Sequence, residues 1–126
     1  MNKITESQIE SHYYAVNSID EISEEVFLFL NENIRWAITE HDLSEFIKGL
    51  FYKYKLKTNY NPIVKFLSHP SITQNDTSID PKYIIIRREG LLKINIYAKK
   101  NDKNYKKNMY ANSYFNIGLG NTFPNY

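Results

Sequence analysis

The sequence predicts an α+β fold in which two or three helices pack on a small, mainly antiparallel sheet. Apolar residues recur at helical spacing through the first half of the chain, over residues 5–57. Two strand-like runs, 90–99 and 109–120, follow in the second half, with a polar, lysine-rich turn at 101–108 between them. No internal repeat or linker interrupts the sequence, so we expect a single domain over residues 1–126.

Three helical segments are predicted. The first covers residues 5–16 and the second covers residues 20–37, with a break expected at Asn17–Ser18. The third begins at Thr39, where a capping hydroxyl precedes acids in the first turn, and it ends before Pro62. The apolar residues of this third segment have the clearest helical spacing in the chain: Leu43, Phe46, Ile47, Leu50, Phe51 and Tyr54.

Shorter extended segments lie between the helices and the two long strand-like runs. Residues 62–67 open with Pro-Ile-Val and predict a short strand. Residues 68–82 are rich in Pro, Ser, Thr, Asn and Asp, as is typical of a loop. Residues 83–87 form a β-branched run, and Arg88–Gly90 then predicts a tight connection into the strand that follows.

The composition excludes several classes of protein. The chain has no Cys, so neither a disulfide framework nor a thiolate metal site is expected. The first thirty residues carry acids and no long apolar stretch, and no run approaches the ~20 apolar residues of a membrane span. Glycine is too scarce for a nucleotide-binding loop. We therefore expect a cytoplasmic protein without a membrane partner.

Charge is unevenly distributed along the chain, although the net charge is only +2. Residues 1–45 hold ten acids and two bases, whereas residues 46–126 hold four acids and fourteen bases. This asymmetry is consistent with a basic face that binds nucleic acid or another anion. It is also typical of an acidic helical layer that complements a basic sheet within one fold, and we favour that interpretation.

Three stretches of residues 20–120 together resemble the pita-bread metallopeptidases, the family of methionine aminopeptidases, Xaa-Pro aminopeptidases and creatinase. The first two are GLLKINIYAK at 90–99 and MYANSYFNIGLG at 109–120. They are similar to the paired central strands of the family. The third, ITEHDLSEFIKGLFYKYKLKTNYNPIV at 38–64, is similar to the helix and Pro-Ile-Val strand that precede them. The resemblance implies the first half of a pita-bread domain.

The resemblance also implies where the family would hold its metals. Aligning the two central strands places Asn95 and Asn112 where the family has two Asp ligands that bridge two divalent metals, such as Mn, Co or Zn. Aligning on Gly90 instead would place Ile96 at the first position, and neither choice restores an acid. An Asn offers only a neutral oxygen and cannot compensate two dications. We therefore expect no cofactor and no catalytic residues.

Positions on the substrate side follow from the same resemblance. The family has a His shortly after its Pro-Ile-Val strand, and counting from Pro62 places Gln74 or Asn75 there. His69 is the only nearby His and would have to reach that place through a remodelled loop. The remaining ligands of the family, a His and two Glu, belong to a second half of its domain that residues 1–126 do not contain.

The turn between the two long strands is a second candidate site. It carries bases flanked by tyrosines, a combination that can bind single-stranded nucleic acid by phosphate pairing and stacking. Lysines at a solvated hairpin tip also keep a sheet edge from pairing with other chains, and we favour this structural role. The basic patch consists of Lys99, Lys100, Lys103, Lys106 and Lys107.

The function expected from these observations is that of a non-catalytic, degenerate relative of the peptidases, acting as a protein-interaction module. Half of a domain that packs on a partner half would expose apolar surface, so we expect self-association or a partner protein chain. Two alternatives remain open. One is a residual metal-dependent aminopeptidase or prolidase completed by another chain, and the other is a nucleic-acid-binding module that uses the basic turn at 99–107.

Overall fold

The computed structural model describes residues 6–33, 37–67, 80–101 and 110–120. Within these residues, two helices pack on one face of a four-stranded antiparallel sheet, which confirms the predicted α+β class. The elements, in chain order, are α1 (Glu6–Asn33), α2 (Glu40–Lys53), β1 (Leu56–Lys57), β2 (Ile63–Leu67), β3 (Gly90–Lys100) and β4 (Ala111–Leu119).

The helix α1 runs without interruption for 28 residues, so the predicted break at Asn17–Ser18 is wrong. Asn and Ser weaken a helix by less than about 1 kcal/mol each, and neither removes a backbone hydrogen bond. Ser18 is itself buried, and a continuous apolar stripe packs through this region against the sheet. Burial of the stripe outweighs the weak local preference. The stripe consists of Ala15, Ile19, Ile22, Val26 and Leu30.

The helix α2 begins where the sequence predicts. Thr39 is its N-cap, and the Thr39 hydroxyl accepts a hydrogen bond from the Asp42 amide at 3.1 Å while the Asp42 carboxylate accepts one from the Thr39 amide at 3.0 Å. The helix ends at Lys53, earlier than predicted, because Lys55 has a φ of 54° that turns the chain. Leu56–Lys57 then form β1, a strand that the sequence pattern did not predict.

The central strand of the sheet is β3. It pairs antiparallel with β4 over Gly90–Ala98 and with β2 over Leu91–Asn95, while β1 pairs with its end. Alternate side chains of β3 point toward the helices and are fully buried, whereas the others lie on the opposite face, here called the open face. The buried side chains of β3 are Leu92, Ile94, Ile96 and Ala98.

The β-branched run at 83–87 does not form a strand of the sheet. Pro81–Tyr83 form a single 3₁₀ turn capped by the side chain of Asp80. The backbone after it bonds to the segment before α2: the Glu40 amide donates to the Ile84 carbonyl at 2.9 Å, and the Ile86 amide donates to the Ile38 carbonyl at 2.8 Å. The local preference for extended backbone is satisfied, but by a loop rather than by a strand.

Candidate functional site

Asn95 and Asn112 lie on the open face of the sheet. Asn95 is directly opposite Tyr114 on β4, and Asn112 is directly opposite Tyr97 on β3. Because opposite residues share a face, both Asn side chains project away from the helices and are diagonal neighbours across the β3–β4 pair. The structure therefore brings together the two positions at which the resemblance implies metal ligands.

The chemistry of this pair does not suit a two-metal centre. Both side chains are neutral amides, and the Oδ1 atom of Asn95 is enclosed without a hydrogen-bond partner. Over the four described segments, no group of three or more His, Asp or Glu side chains could hold a metal ion. The residues present do not fit the metals of the family.

The other site residues implied by the sequence are only partly described. His69, Gln74, Asn75, Lys103, Lys106 and Lys107 lie outside the described residues. Of the basic patch, Lys99 and Lys100 are described, and they lie on opposite faces of β3. The Lys99 ammonium lies 5.2 Å from the ring centroid of Tyr110, whereas the Lys100 ammonium lies 4.9 Å from the ring centroid of Tyr14 on α1.

The outer edge of β4 is a first candidate interaction surface. Within the described part of the chain, β4 pairs with β3 alone, so its other edge presents a row of backbone donors and acceptors. Its nine residues, ANSYFNIGL, include no charged residue and no proline. Natural edge strands usually carry such residues to prevent pairing with other chains. The edge of β4 has neither protection.

A groove of about 420 Å³ lies at the Leu119 end of this strand, between α1 and β4. We call it the β4 groove. Phe27, Leu30 and Asn31 of α1 form one wall, Ile117–Gly120 form the other, and Arg88 lines it as well. Phe27 is 53% exposed although it belongs to this apolar wall. An open strand edge beside an apolar groove is the arrangement by which proteins bind extended peptide segments.

The open face of the sheet is a second candidate surface. Tyr97 and Tyr110 stack with ring centroids 4.5 Å apart, and Tyr60 packs edge-on against both rings. Tyr114 lies farther along the same face and is 65% exposed. Lysines surround these rings. We call the following set the tyrosine–lysine face: Lys57, Tyr60, Lys65, Lys93, Tyr97, Lys99, Tyr110 and Tyr114.

The lysines of this face stand opposite one another. Lys65 on β2 is the direct cross-strand partner of Lys93 on β3, and Lys57 on β1 is the direct partner of Lys99. Like charges at directly opposite positions destabilise a sheet. None of these four lysines forms an ion pair with another described residue. The strand positions on this face otherwise hold Asn, Tyr and apolar residues, without an acid.

Two glutamates on the helical side have perturbed acidities. Glu25 on α1 accepts hydrogen bonds from the Lys53 ammonium, at 2.8 Å, and from the Tyr54 hydroxyl. These bonds lower the pKa of Glu25 and, by the same contact, raise the pKa of Tyr54 to about 12. Burial raises the pKa of Glu40, against the opposing effect of a hydrogen bond from the Phe66 amide. The contact between Glu25 and Lys53 joins α1 to α2, and the contact between Glu40 and Phe66 joins α2 to β2.

A second cavity, of about 550 Å³, lies between α2 and the loop that joins β1 to β2. Phe51 and Leu56 form its floor, and polar residues of the loop form its rim. The Thr58 hydroxyl donates to the carbonyl of Tyr97 and so attaches this loop to the central strand. Two lysines and two tyrosines line it (Lys48, Lys57, Tyr52 and Tyr60), but no His, Asp or Glu does among the residues described, and we assign it no chemistry.

The sequence predictions include neither the β4 edge nor most of the tyrosine–lysine face, of which only Lys99 was a predicted site residue, although part of the signal is legible. The absence of charge from β4 can be read directly from the sequence. The alternation of β3 could also have placed Lys93, Asn95, Tyr97 and Lys99 on one face. What the sequence does not contain is the register that sets Lys65 against Lys93.

In the residues that the structure describes, no helix is long and apolar enough to cross a membrane. No family model matches the sequence, and the search of curated proteins gives no match.

Proposed function

We propose that this chain is a non-catalytic protein-interaction module, a degenerate relative of the pita-bread metallopeptidases, that binds an extended segment of a partner protein along β4. The observation that carries the proposal is the nine-residue, uncharged edge of β4 beside the apolar β4 groove. Main-chain hydrogen bonds along the edge would supply affinity. The groove would accept alternate side chains of the incoming strand and supply specificity.

The charge beside the groove indicates what kind of segment fits. Helix α1 contains seven acids and neither Lys nor Arg. Among the described lining residues only Arg88 is charged, whereas Asp20 and Glu24 lie seven and three residues before Phe27, farther along the same side of the helix as the groove wall. A second copy of this chain would bring its own acidic α1 toward this helix. A partner strand that alternates apolar and basic residues complements the site better.

A designed peptide tests this proposal. The probe alternates valine with lysine over about ten residues, the length of a long strand, and its control alternates valine with glutamate. We expect only the lysine peptide to bind and to protect β4 amides from hydrogen exchange. Phe27→Ala should weaken binding because it removes one wall of the groove. Leu28→Ala is the matched control, since Leu28 is similarly exposed but does not line the groove.

Three results would contradict the proposal. They are equal binding of both peptides, equal effects of the two alanine variants, and binding that leaves the exchange of β4 amides unchanged. Concentration-dependent dimerisation that is lost in Phe27→Ala would instead assign the edge to a second copy of the chain.

The relation to the peptidases has its own test. If the scaffold is a peptidase half that has lost its ligands, Asn95→Asp with Asn112→Asp should restore two carboxylates on one face and introduce binding of manganese or zinc. The readout is a metal-dependent rise in melting temperature that the unmodified chain lacks. Peptidase activity of the unmodified chain with added metal, lost on substitution of Asn112, would favour the alternative of a residual aminopeptidase or prolidase.

A further inference from the structure

We propose that the tyrosine–lysine face is a binding site for single-stranded nucleic acid, on a surface separate from the β4 edge. The inference stands on three observations: the cross-strand pairing of like charges, the exposure of aromatic rings between them, and the separation of this face from the acidic helices.

The like-charge pairs of lysines on the open face favour the binding of an anion. Lys65 against Lys93, and Lys57 against Lys99, place two pairs of positive charge at directly opposite strand positions. Such pairs reduce the stability of a sheet, and no described acid forms an ion pair with these four lysines, although the charge of Glu40 acts on Lys65 at longer range. An anion bound between the members of each pair would remove the repulsion. From Lys93 to Lys99 the positive charge extends for about 20 Å along β3, which suits a chain of phosphates better than a single small anion.

The aromatic rings indicate which polyanion fits. Tyr97 and Tyr110 form a stacked pair beside Lys99. The exposed ring of Tyr114, on β4, lies between that pair and Lys93 of β3. Nucleic-acid bases stack on tyrosine rings, whereas heparin-like or phosphate polymers have no aromatic ring to stack. Bases within a duplex have no free face, so a single strand is the form that can use both lysines and tyrosines.

The charge of the remainder of the molecule favours binding from this side. The acids of α1 lie on the helical layer, on the other side of the sheet from the four lysines. A polyanion is therefore attracted to the open face and repelled by the helical face. The sequence alone favoured mutual neutralisation of acids and bases within the fold. In the observed arrangement Lys57 is exposed, the other three lysines of the open face are half-buried, and none of the four forms an ion pair with an acid of α1.

The test uses fluorescence anisotropy with a labelled oligothymidylate of about 12 nucleotides, within the range of known single-strand site sizes. With four lysines on phosphates, we expect log Kd to rise with log salt concentration with a slope of about 3. The double variant Lys93→Gln with Lys99→Gln should lower that slope to about 1.5. Its matched control, Lys55→Gln with Lys82→Gln, removes two lysines outside the face and should leave the slope unchanged.

Two tyrosine variants separate the contribution of base stacking to binding from that of charge. Tyr114→Leu should weaken binding of the oligothymidylate by roughly tenfold and leave heparin binding unchanged. Tyr52→Leu, which alters a more exposed tyrosine on α2, should change neither. Stability provides an independent readout, because Lys93→Gln relieves a like-charge pair and should raise the melting temperature, whereas Lys82→Gln should not.

Several outcomes would overturn the inference. Absence of oligonucleotide binding at low salt, or binding that does not depend on salt, would show that the lysines do not bind phosphates. Heparin binding as tight as oligonucleotide binding, with no effect of Tyr114→Leu, would make the face a general polyanion site. Loss of oligonucleotide binding in Phe27→Ala would move the site to the β4 groove, and that result is distinguishable from failure of the proposed peptide binding.

Discussion

The carboxylate of Glu40 accepts a hydrogen bond from the backbone amide of Phe66 at 2.7 Å, so a buried acid at the start of α2 occupies the outer edge of β2. This contact joins the helical layer to the sheet through one side chain. It also explains why the two outer edges of the sheet differ. The edge of β2 has a side-chain acceptor at Phe66, whereas the edge of β4 has no partner among the described residues.

Truncation of the Glu40 side chain should therefore destabilise the fold. Glu40→Ala leaves the Phe66 amide without its acceptor in a partly buried position, and we expect a loss of about 1–3 kcal/mol in the free energy of unfolding. Glu40→Gln keeps an oxygen that can accept the same hydrogen bond and should cost much less. Urea denaturation at neutral pH measures both variants. Equal losses for Ala and Gln would show that the hydrogen bond to Phe66 contributes nothing.

The ionisation of Glu40 predicts a dependence on pH. Burial places its folded-state pKa above the unfolded value, so the folded chain binds this proton more tightly. The contribution to stability is fully present below the unfolded pKa and is lost as pH rises through the folded pKa. We therefore expect unmodified protein to gain stability relative to Glu40→Gln when pH falls from about 7 to about 4. A difference independent of pH would contradict the raised pKa.

Glu25 should show the opposite dependence. The Lys53 ammonium and the Tyr54 hydroxyl lower its pKa, so its contribution is present at neutral pH and is lost as pH falls through the folded-state value. We expect Glu25→Gln to cost about 1 kcal/mol at neutral pH, as a partly exposed ion pair would, and almost nothing in acid. Glu24→Gln is the control, because Glu24 is an exposed neighbour on the same helix. Similar effects of both variants would exclude a specific contact.

Gly90 gives a prediction about backbone conformation. Its φ is 151°, and a Cβ added there would lie 2.5 Å from the ring of Phe66 and 2.6 Å from the carbonyl oxygen of Leu67. We expect Gly90→Ala to destabilise the fold by more than about 1 kcal/mol. Gly49→Ala, in α2, meets nothing within 4 Å and should stabilise the helix by about 0.5–1 kcal/mol. Thermal unfolding of the two variants should therefore shift in opposite directions.

The sequence predicted the parts of the fold that depend on local chemistry. The start of α2 follows from the capping hydroxyl of Thr39, and the two long strands follow from their alternating apolar residues. The predicted helix bounds were wrong where tertiary contacts, rather than local sequence, determine the backbone conformation. Burial of the α1 stripe carries the helix through Asn17–Ser18, and the positive φ of Lys55 ends α2 early. Neither effect has a signal within a short window of sequence.

The candidate site was less predictable than the fold because it depends on register. Alternation places Lys93 and Lys99 on one face of β3, but only the pairing of strands sets Lys65 and Lys57 opposite them. The groove beside β4 likewise requires the position of α1 over the last two strands. The resemblance to the peptidases identified Asn95 and Asn112 as neighbours, and the structure does place them on one face; the relationship itself stays a proposal.

The central position of β3 has a consequence for how the protein is made. The ribosome synthesises β3 before β4, so a nascent chain presents the edge of β3 that β4 later covers. The apolar side chains of β3 can pack on α1 and α2, and β2 can pair with it, before that edge is closed. Pauses in translation between these two strands would lengthen the exposure. Chaperones that bind extended apolar segments would find their target in this interval.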